Sequence, residues 1–168
     1  LVPKTGGRNV KVRFHKSKYN IVERLINKVM VPGHKGKKHF LTYGFKSGKA
    51  HNAYNIVEKT FDIVEKRMNK NPVEVFVKAL ENAAPREEIT TIEYGGAKYP
   101  QSVDCAPQRR VDIALKLMVQ GSFSKSFNGK KRFYECLADE IISAYNFENK
   151  SAAINKKLEL DRQADSSR

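Results

Sequence analysis

Apolar side chains recur along most of this chain at the spacing of an amphipathic helix, and the stretches where that spacing fails are equally informative. From Tyr19 they come in pairs, Ile21/Val22, Leu25/Ile26 and Val29/Met30, which share one helical face. Pro32 and Gly33 stop that helix. A second run, residues 52–68, places Ala53, Val57, Phe61, Val64 and Met68 at intervals of four, four, three and four, and reads as the central core helix. Asn71-Pro72-Val73-Glu74 then supplies an N-cap, a proline at the first helical position and an acid that can reach back to the cap. The third helix turns Phe76, Ala79, Leu80 and Ala83 inward until Pro85 ends it. A fourth opens at Pro107, lines one face with Val111, Ala114, Leu115 and Met118, and ends near Gly121. A fifth, about 131–145, turns Phe133, Cys136, Leu137, Ile141 and Tyr145 to the core. Ser151 caps a last helix whose Ile154 and Leu158 have few apolar companions, so its far end should fray.

Three stretches break the helical period. Residues 1–18 contain Pro3, Gly6 and Gly7 and alternate Val10, Val12 and Phe14 with Lys11 and Arg13 for only five positions; they predict an extended arm ordered on binding. Residues 34–51 set Gly36, Gly44 and Gly48 among Lys35, Lys37, Lys38, Lys46 and Lys49, a phosphate-facing basic loop with room for a helical turn near 40–45. Between the third and fourth helices, two β-rich runs within residues 89–103 flank Gly95-Gly96, a hairpin signal. A lone two-stranded ribbon is marginal in water, so this one must lean on helices or on a partner. Its tip places Tyr94, Lys98 and Tyr99 beside Gly95 and Gly96, where aromatic rings can stack on unpaired bases and phosphates can approach backbone amides. The alternative is an ordinary turn whose tyrosines fold back on the body. The predicted fold is mainly α: a single-domain bundle of about six helices over 19–168, one protruding β-hairpin arm, and a basic extended arm over 1–18.

Charge changes this picture more than composition does. The chain has 168 residues, 40% hydrophobic and 30% charged, with a net charge of +14. Residues 1–51 hold 13 Lys or Arg against the single acid Glu23, so that segment carries +12 and everything after it only +2. A cationic field so concentrated repels itself until a polyanion neutralises it and releases counterions, which makes nucleic acid the default partner. Two blander readings are a solvated tail and an anionic membrane surface. The second needs an apolar face opposite the charges, and residues 1–18 offer only Phe14 as an aromatic. No apolar run approaches the roughly 18 residues of a bilayer span and the start has no apolar leader, which predicts a soluble, intracellular protein without membrane contact. Cys105 and Cys136, 31 positions apart, form neither a metal pair nor a disulfide framework and are expected as reduced, core-facing thiols.

Catalysis finds little support. His34, His39 and His51 share one loop, but their spacing fits no common zinc pattern and the neighbouring lysines repel a dication. Glu87 and Glu88 are adjacent near a strand start, where side chains point apart, and are expected in solvent. Phosphate-loop, nucleophile-elbow and dinucleotide motifs are all missing, so neither enzyme activity, cofactor nor metal is expected. A sequence-specific DNA binder is the better rival. It requires an exposed basic reading helix, whereas the second helix balances Lys59, Lys66 and Arg67 with Glu58, Asp62 and Glu65. Basic residues concentrated in an arm and a loop suit a folded RNA contacted through backbone and shape.

Four segments carry a resemblance. They are Val75-Phe76-Val77-Lys78-Ala79-Leu80-Glu81-Asn82-Ala83-Ala84-Pro85-Arg86-Glu87-Glu88; the tip Gly95-Gly96-Ala97; Ser102-Val103-Asp104-Cys105-Ala106-Pro107-Gln108-Arg109-Arg110; and Cys136-Leu137-Ala138-Asp139-Glu140-Ile141-Ile142. In order and spacing, over about residues 18–168, the chain resembles the small-subunit ribosomal protein seven family. The closing Asp161-Arg162-Gln163-Ala164-Asp165-Ser166-Ser167-Arg168 and the long basic connection look like its archaeal and eukaryotic branch, with an archaeal source the first expectation. The resemblance implies a six-helix body with a ribbon arm that binds the 3′ major domain of small-subunit ribosomal RNA and nucleates assembly of the head. It also implies a place near exit-site tRNA and messenger, beside other head and platform proteins, in the cytoplasmic ribosome, with a monomer when free. The family's RNA-contacting segment falls on Lys11, Arg13, Lys16, Lys18, Lys35, Lys37 and Lys38, and its paired arginines on Arg109 and Arg110. Arg8, Lys28, Lys46, Lys49, Lys130, Lys131 and Arg132 complete the candidate RNA-binding set, and the arm contributes Tyr94, Gly95, Gly96, Lys98 and Tyr99.

Overall fold

Short polar side chains set where the helices begin. The Asn20 carboxamide oxygen accepts from the Val22 amide at 3.0 Å, Asn71 does the same for Val73 at 3.0 Å, and the Ser151 hydroxyl accepts from Ile154 at 3.3 Å, each satisfying an amide that the helix itself leaves without a partner. The computed structural model describes residues 2–6, 8, 12–32, 49–127 and 129–167. After a 3-10 turn, His15–Lys18, come α1 (Ile21–Val29), α2 (Ala50–Met68), α3 (Pro72–Ala83), β1 (Glu87–Tyr94), β2 (Ala97–Asp104), α4 (Pro107–Ser126), α5 (Phe133–Tyr145) and α6 (Ala152–Ser166). Six helices and one ribbon are what the periodicities predict. No helix is long and apolar enough to cross a membrane among the described residues.

The central helix is α5 and not α2. It packs against α2, α3 and α4, and Leu137, Ala138, Ile141 and Ala144 are wholly buried. Helix α2 buries only Ala53, Val57, Thr60 and Val64, while Phe61 stays half-buried with its ring 5.9 Å from that of Phe76. The cause lies in width: a helix with apolar or small residues on several sides goes to the middle, whereas a single stripe belongs at the periphery.

Helix α4 continues through Gly121 to Ser126. A β-carbon at position 121 would lie 2.6 Å from the Ala152 Cβ, so the glycine admits the start of α6 and does not stop α4. Beside it the fully buried Glu140 accepts from the Ser151 hydroxyl at 2.7 Å and the Ala153 amide at 3.2 Å. Its other oxygen accepts from the Lys125 ammonium at 2.7 Å, which also donates to the Lys150 carbonyl at 2.8 Å. One carboxylate thus ties α4, α5 and the start of α6, with its hydrogen-bonding capacity met as a buried charge requires. α6 stays helical to Ser166, and Ala164 is buried near its end, so the far end that the sparse apolar pattern left unsupported has a contact with the body.

β1 and β2 pair antiparallel from Glu87↔Asp104 to Tyr94↔Ala97. Gly95 and Gly96 both have positive φ, 55° and 84°, the conformation that a two-residue hairpin turn needs and that side chains resist. The ribbon is anchored at its base. Arg109 at the start of α4 grips Glu88, the Ser102 hydroxyl donates to Glu87 at 2.9 Å, and the Cys105 amide donates to the Arg86 carbonyl at 2.9 Å. Glu87 and Glu88, expected in solvent, therefore each hold a partner. Cys105 and Cys136 are buried free thiols, and burial pushes the pKa of each up.

Near the amino terminus, the lone early acid is the anchor. Glu23 is 6% exposed, and one of its oxygens accepts from the Lys4 amide at 3.0 Å, the Thr5 amide at 2.9 Å and the Thr5 hydroxyl at 2.7 Å. Burial works to raise its pKa, but these three donors outweigh it and hold the carboxyl below its ordinary range.

Candidate nucleic-acid interface

The apolar pairs of α1 leave its remaining side to basic residues, because positions two apart on a helix lie roughly 200° round from each other. Arg24 and Lys28 thereby face α4 while Val22 and Ile26 face α2. Asp112 of α4 receives the Arg24 guanidinium at 2.9 Å and the Lys16 ammonium from the 3-10 turn. Burial raises the pKa of Asp112, and the two cations more than cancel it, leaving the carboxyl below its usual value. Lys28 is half-buried beside this group; burial and the neighbouring Lys116 charge lower its pKa, against a partial pull from Asp112. Lys16 and Arg24 thus share one carboxylate while Lys28 and Lys116 repel each other beside it, an excess of positive charge that a nearby anion would relieve.

A second cluster sits where the ribbon joins the body. Arg109 and Arg110 lie in the first turn of α4, which contains no acid, and so add to the positive end of the helix dipole where stability alone would favour acids. Arg109 is held by Glu88, and Arg110 donates to the Pro85 carbonyl at 3.0 Å. Lys157 of α6 donates to the Asn82 carbonyl at 2.7 Å. Burial lowers its pKa, Arg86 and Arg110 lower it further, and Asp161 offsets part of this.

Of the basic residues chosen from sequence, Lys16 and Lys28 belong to the first cluster and Arg109 and Arg110 to the second. Arg8, Arg13 and Lys18 are exposed along the amino-terminal segment, the Arg13 guanidinium lying over the Phe14 ring at 4.8 Å. Lys49 is exposed at the N-cap of α2. Lys130, Lys131 and Arg132 form an exposed basic turn before α5, of which Lys131 is paired with Asp139 at 2.7 Å. Lys11, Lys35, Lys37, Lys38 and Lys46 lie outside the described residues, as do His34 and His39. His51 is exposed in the first turn of α2. No group of three or more His, Cys, Asp or Glu able to hold a metal occurs among the described residues. Sequence reasoning passed over Arg24, Arg86, Lys116 and Lys157. The signal for Arg24 was its i,i+4 relation to Lys28 opposite the apolar pairs, and Lys116 stands in the same relation to Asp112.

The ribbon's pairing puts Ile92, Tyr94 and Tyr99 on one face, since Ile92 opposes Tyr99 and side chains alternate. Tyr94 is 79% and Tyr99 60% exposed, so neither ring folds back on the body. Glu93 and Lys98 oppose each other on the other face.

A helical body carrying cationic clusters and one aromatic ribbon defines a basic structural protein, built to be held in an assembly. The model of the family described as ribosomal protein S7p/S5e matches residues 4–168. The chain is 55% identical over 168 residues to the small ribosomal subunit protein uS7 of Nanoarchaeum equitans, covering all of this chain and 85% of that one. It is 48% identical over 162 residues to uS7 of Methanothermobacter thermautotrophicus (96% and 81% covered) and 47% over 167 residues to that of Archaeoglobus fulgidus (99% and 80%). The chain therefore belongs to the ribosomal protein S7p/S5e family, in its archaeal-type branch, and is a structural, non-enzymatic ribosomal protein.

Proposed function

We propose that this chain takes its place in the small ribosomal subunit by binding the 3′ major domain of the ribosomal RNA, nucleating assembly of the head, with its ribbon near exit-site tRNA and messenger. The observation that carries this reading is the pairing of Lys16 and Arg24 with Asp112, with Lys28 close enough to feel Lys16, Lys116 and Asp112, so that three elements of the fold bring their charges together. The rigid helices fix the spacing of this cluster relative to the one at the ribbon base, and phosphates from converging RNA helices meet both. Asp112 holds the cations in place until RNA arrives, then is screened by them. The exposed Tyr94 and Tyr99 stack on unpaired bases. Head and platform proteins of the subunit are the neighbours, and the free protein is a cytoplasmic monomer. The amino-terminal segment, residues 1–18, serves as a basic RNA-binding arm on the 19–168 body, to which Glu23 and Asp112 tie it.

The test is RNA affinity against salt. Neutralising about six to ten phosphates predicts a fall of roughly 10³- to 10⁵-fold between 50 and 200 mM salt; a nearly flat response, or displacement of the RNA fragment by duplex DNA at equal concentration, defeats the reading.

A further inference from the structure

On the side of α1 turned away from its basic residues, a groove of about 220 Å³ opens between α1, α2 and α3. Its walls are apolar, with Val22 and Ile26 from α1, Val57 and Phe61 from α2 and Val73 from α3, and its rim is Glu58 and Asp62. The charge here runs against the rest of the molecule. Glu58, Asp62 and Glu65 recur at four and three residues along α2, so they form one exposed stripe, and they make no ion pair with any described residue. Of the cations of α2, Arg67 is drawn away to Asp139 and Lys59 lies over the Tyr134 ring at 5.8 Å, leaving Lys66 as the one that stands beside Asp62 and Glu65. By contrast, the carboxylates at 88, 112, 139 and 140 are each engaged by a cation. Beyond Asp62 and Val73 the surface turns mixed, with Glu65 beside Lys66 and Lys70 on one side and Glu74 and the exposed Val77 beside Lys78 on the other, so the apolar floor with a purely acidic rim is confined to the groove itself.

An apolar floor with unpaired carboxylates on its rim repels a phosphate backbone and complements a cationic chain that carries apolar side chains. We propose that the α1–α2–α3 groove is a protein-docking site for a lysine- or arginine-rich segment of a neighbouring protein. One or two aliphatic side chains of that segment enter between Ile26, Phe61 and Val73, and its basic residues meet Glu58, Asp62 and Glu65. The polyanion side and the protein side of this molecule are thus the two sides of α1.

The test uses the full chain, methyl-labelled, and as probe the peptide KLKKLKKLK-amide carrying fluorescein on its amino terminus. The expected result is chemical-shift change at the Val22, Ile26, Val57 and Val73 methyls. Affinity should drop about tenfold or more both when the leucines of the peptide become serines and in the double variant Glu58→Lys, Asp62→Lys. Both substituted positions are exposed, and an unchanged melting temperature verifies that the variant folds. Binding that maps elsewhere, or that ignores either change, overturns the proposal; so does a single-stranded oligouridine that shifts the same methyls. The same variant should bind ribosomal RNA at least as tightly as the parent, so loss of the groove and loss of the RNA reading are separate outcomes.

Discussion

The amino-terminal segment and the β-ribbon both depart from helical periodicity, and both look like projections from a helical body, yet they are attached in opposite ways. The segment is fastened by carboxylates of the body: Glu23 takes three donors from residues 4 and 5, and Asp112 takes Lys16. The ribbon is fastened at its base through Glu87, Glu88 and Arg109, and beyond that its residues 90–101 are exposed. A projection's independence is therefore set by where its polar groups find partners and not by how few apolar residues it has. The segment is accordingly expected to unfold with the body, and the ribbon tip to open on its own.

Glu23→Ala tests this most severely. It removes a buried acceptor serving two backbone amides and a hydroxyl, so stability should fall by about 2–4 kcal/mol, on the order of 10 °C in melting temperature for a chain of this length. Calorimetry checks it. A variant as stable as the parent would return the segment to the status of a loose tail, and so would a full deletion of residues 1–18 that left the melting temperature untouched.

Acid should reproduce part of that effect without mutation. Glu23 has a folded-state pKa below its ordinary 4.5, and Asp112 one below 3.8. Each group therefore contributes stability that is complete above the ordinary value and fades as pH falls through the depressed one. Amide exchange at residues 4 and 5 should accelerate as pH drops below about 4, once corrected for the intrinsic rate, before the pairing of residues 94 and 97 changes. Simultaneous loss of both would merge the two regions into one unit.

What could be read from the chain follows the same division. Helix positions were legible because an apolar spacing of three and four has one physical meaning, and the turn because Gly95 and Gly96 supply the two positive φ values it needs. The lengths of α4 and α6 were not. Gly121 costs a helix about 1 kcal/mol relative to alanine, so by itself it reads as an end; only the packing of Ala152, whose Cβ would lie 2.6 Å from a β-carbon at position 121, explains it. Similarly, Asp112 lies 96 and 88 positions from the cations it holds, and Glu140 looks like any polar residue on a helix until Ser151 and Lys125 are folded against it. Carboxylate partners so distant in sequence leave no periodic trace. For this reason the basic residues were found as a composition and only the fold sorted them into clusters, adding Arg24 and Lys116.

The smallest effect is expected at the ribbon tip. Nothing lies within 4 Å of where a β-carbon at Gly95 would sit, so Gly95→Val meets no clash and its cost is purely conformational. A β-branched residue is forced toward φ 55°, at about 1–2 kcal/mol. Because the tip is exposed and leans on nothing, that cost is met by local opening and not by the body: the melting temperature should stay within about 1 °C of the parent, while cross-strand contacts between residues 94 and 97 disappear from the amide spectrum. If tyrosine stacking on RNA depends on the ribbon's shape, affinity for single-stranded RNA should drop in the same variant without a change in the salt slope, since no phosphate-neutralising cation has been removed. A variant that melts several degrees lower would show the ribbon to be part of the core's cooperative unit, and one with an unaltered amide spectrum would refute the turn.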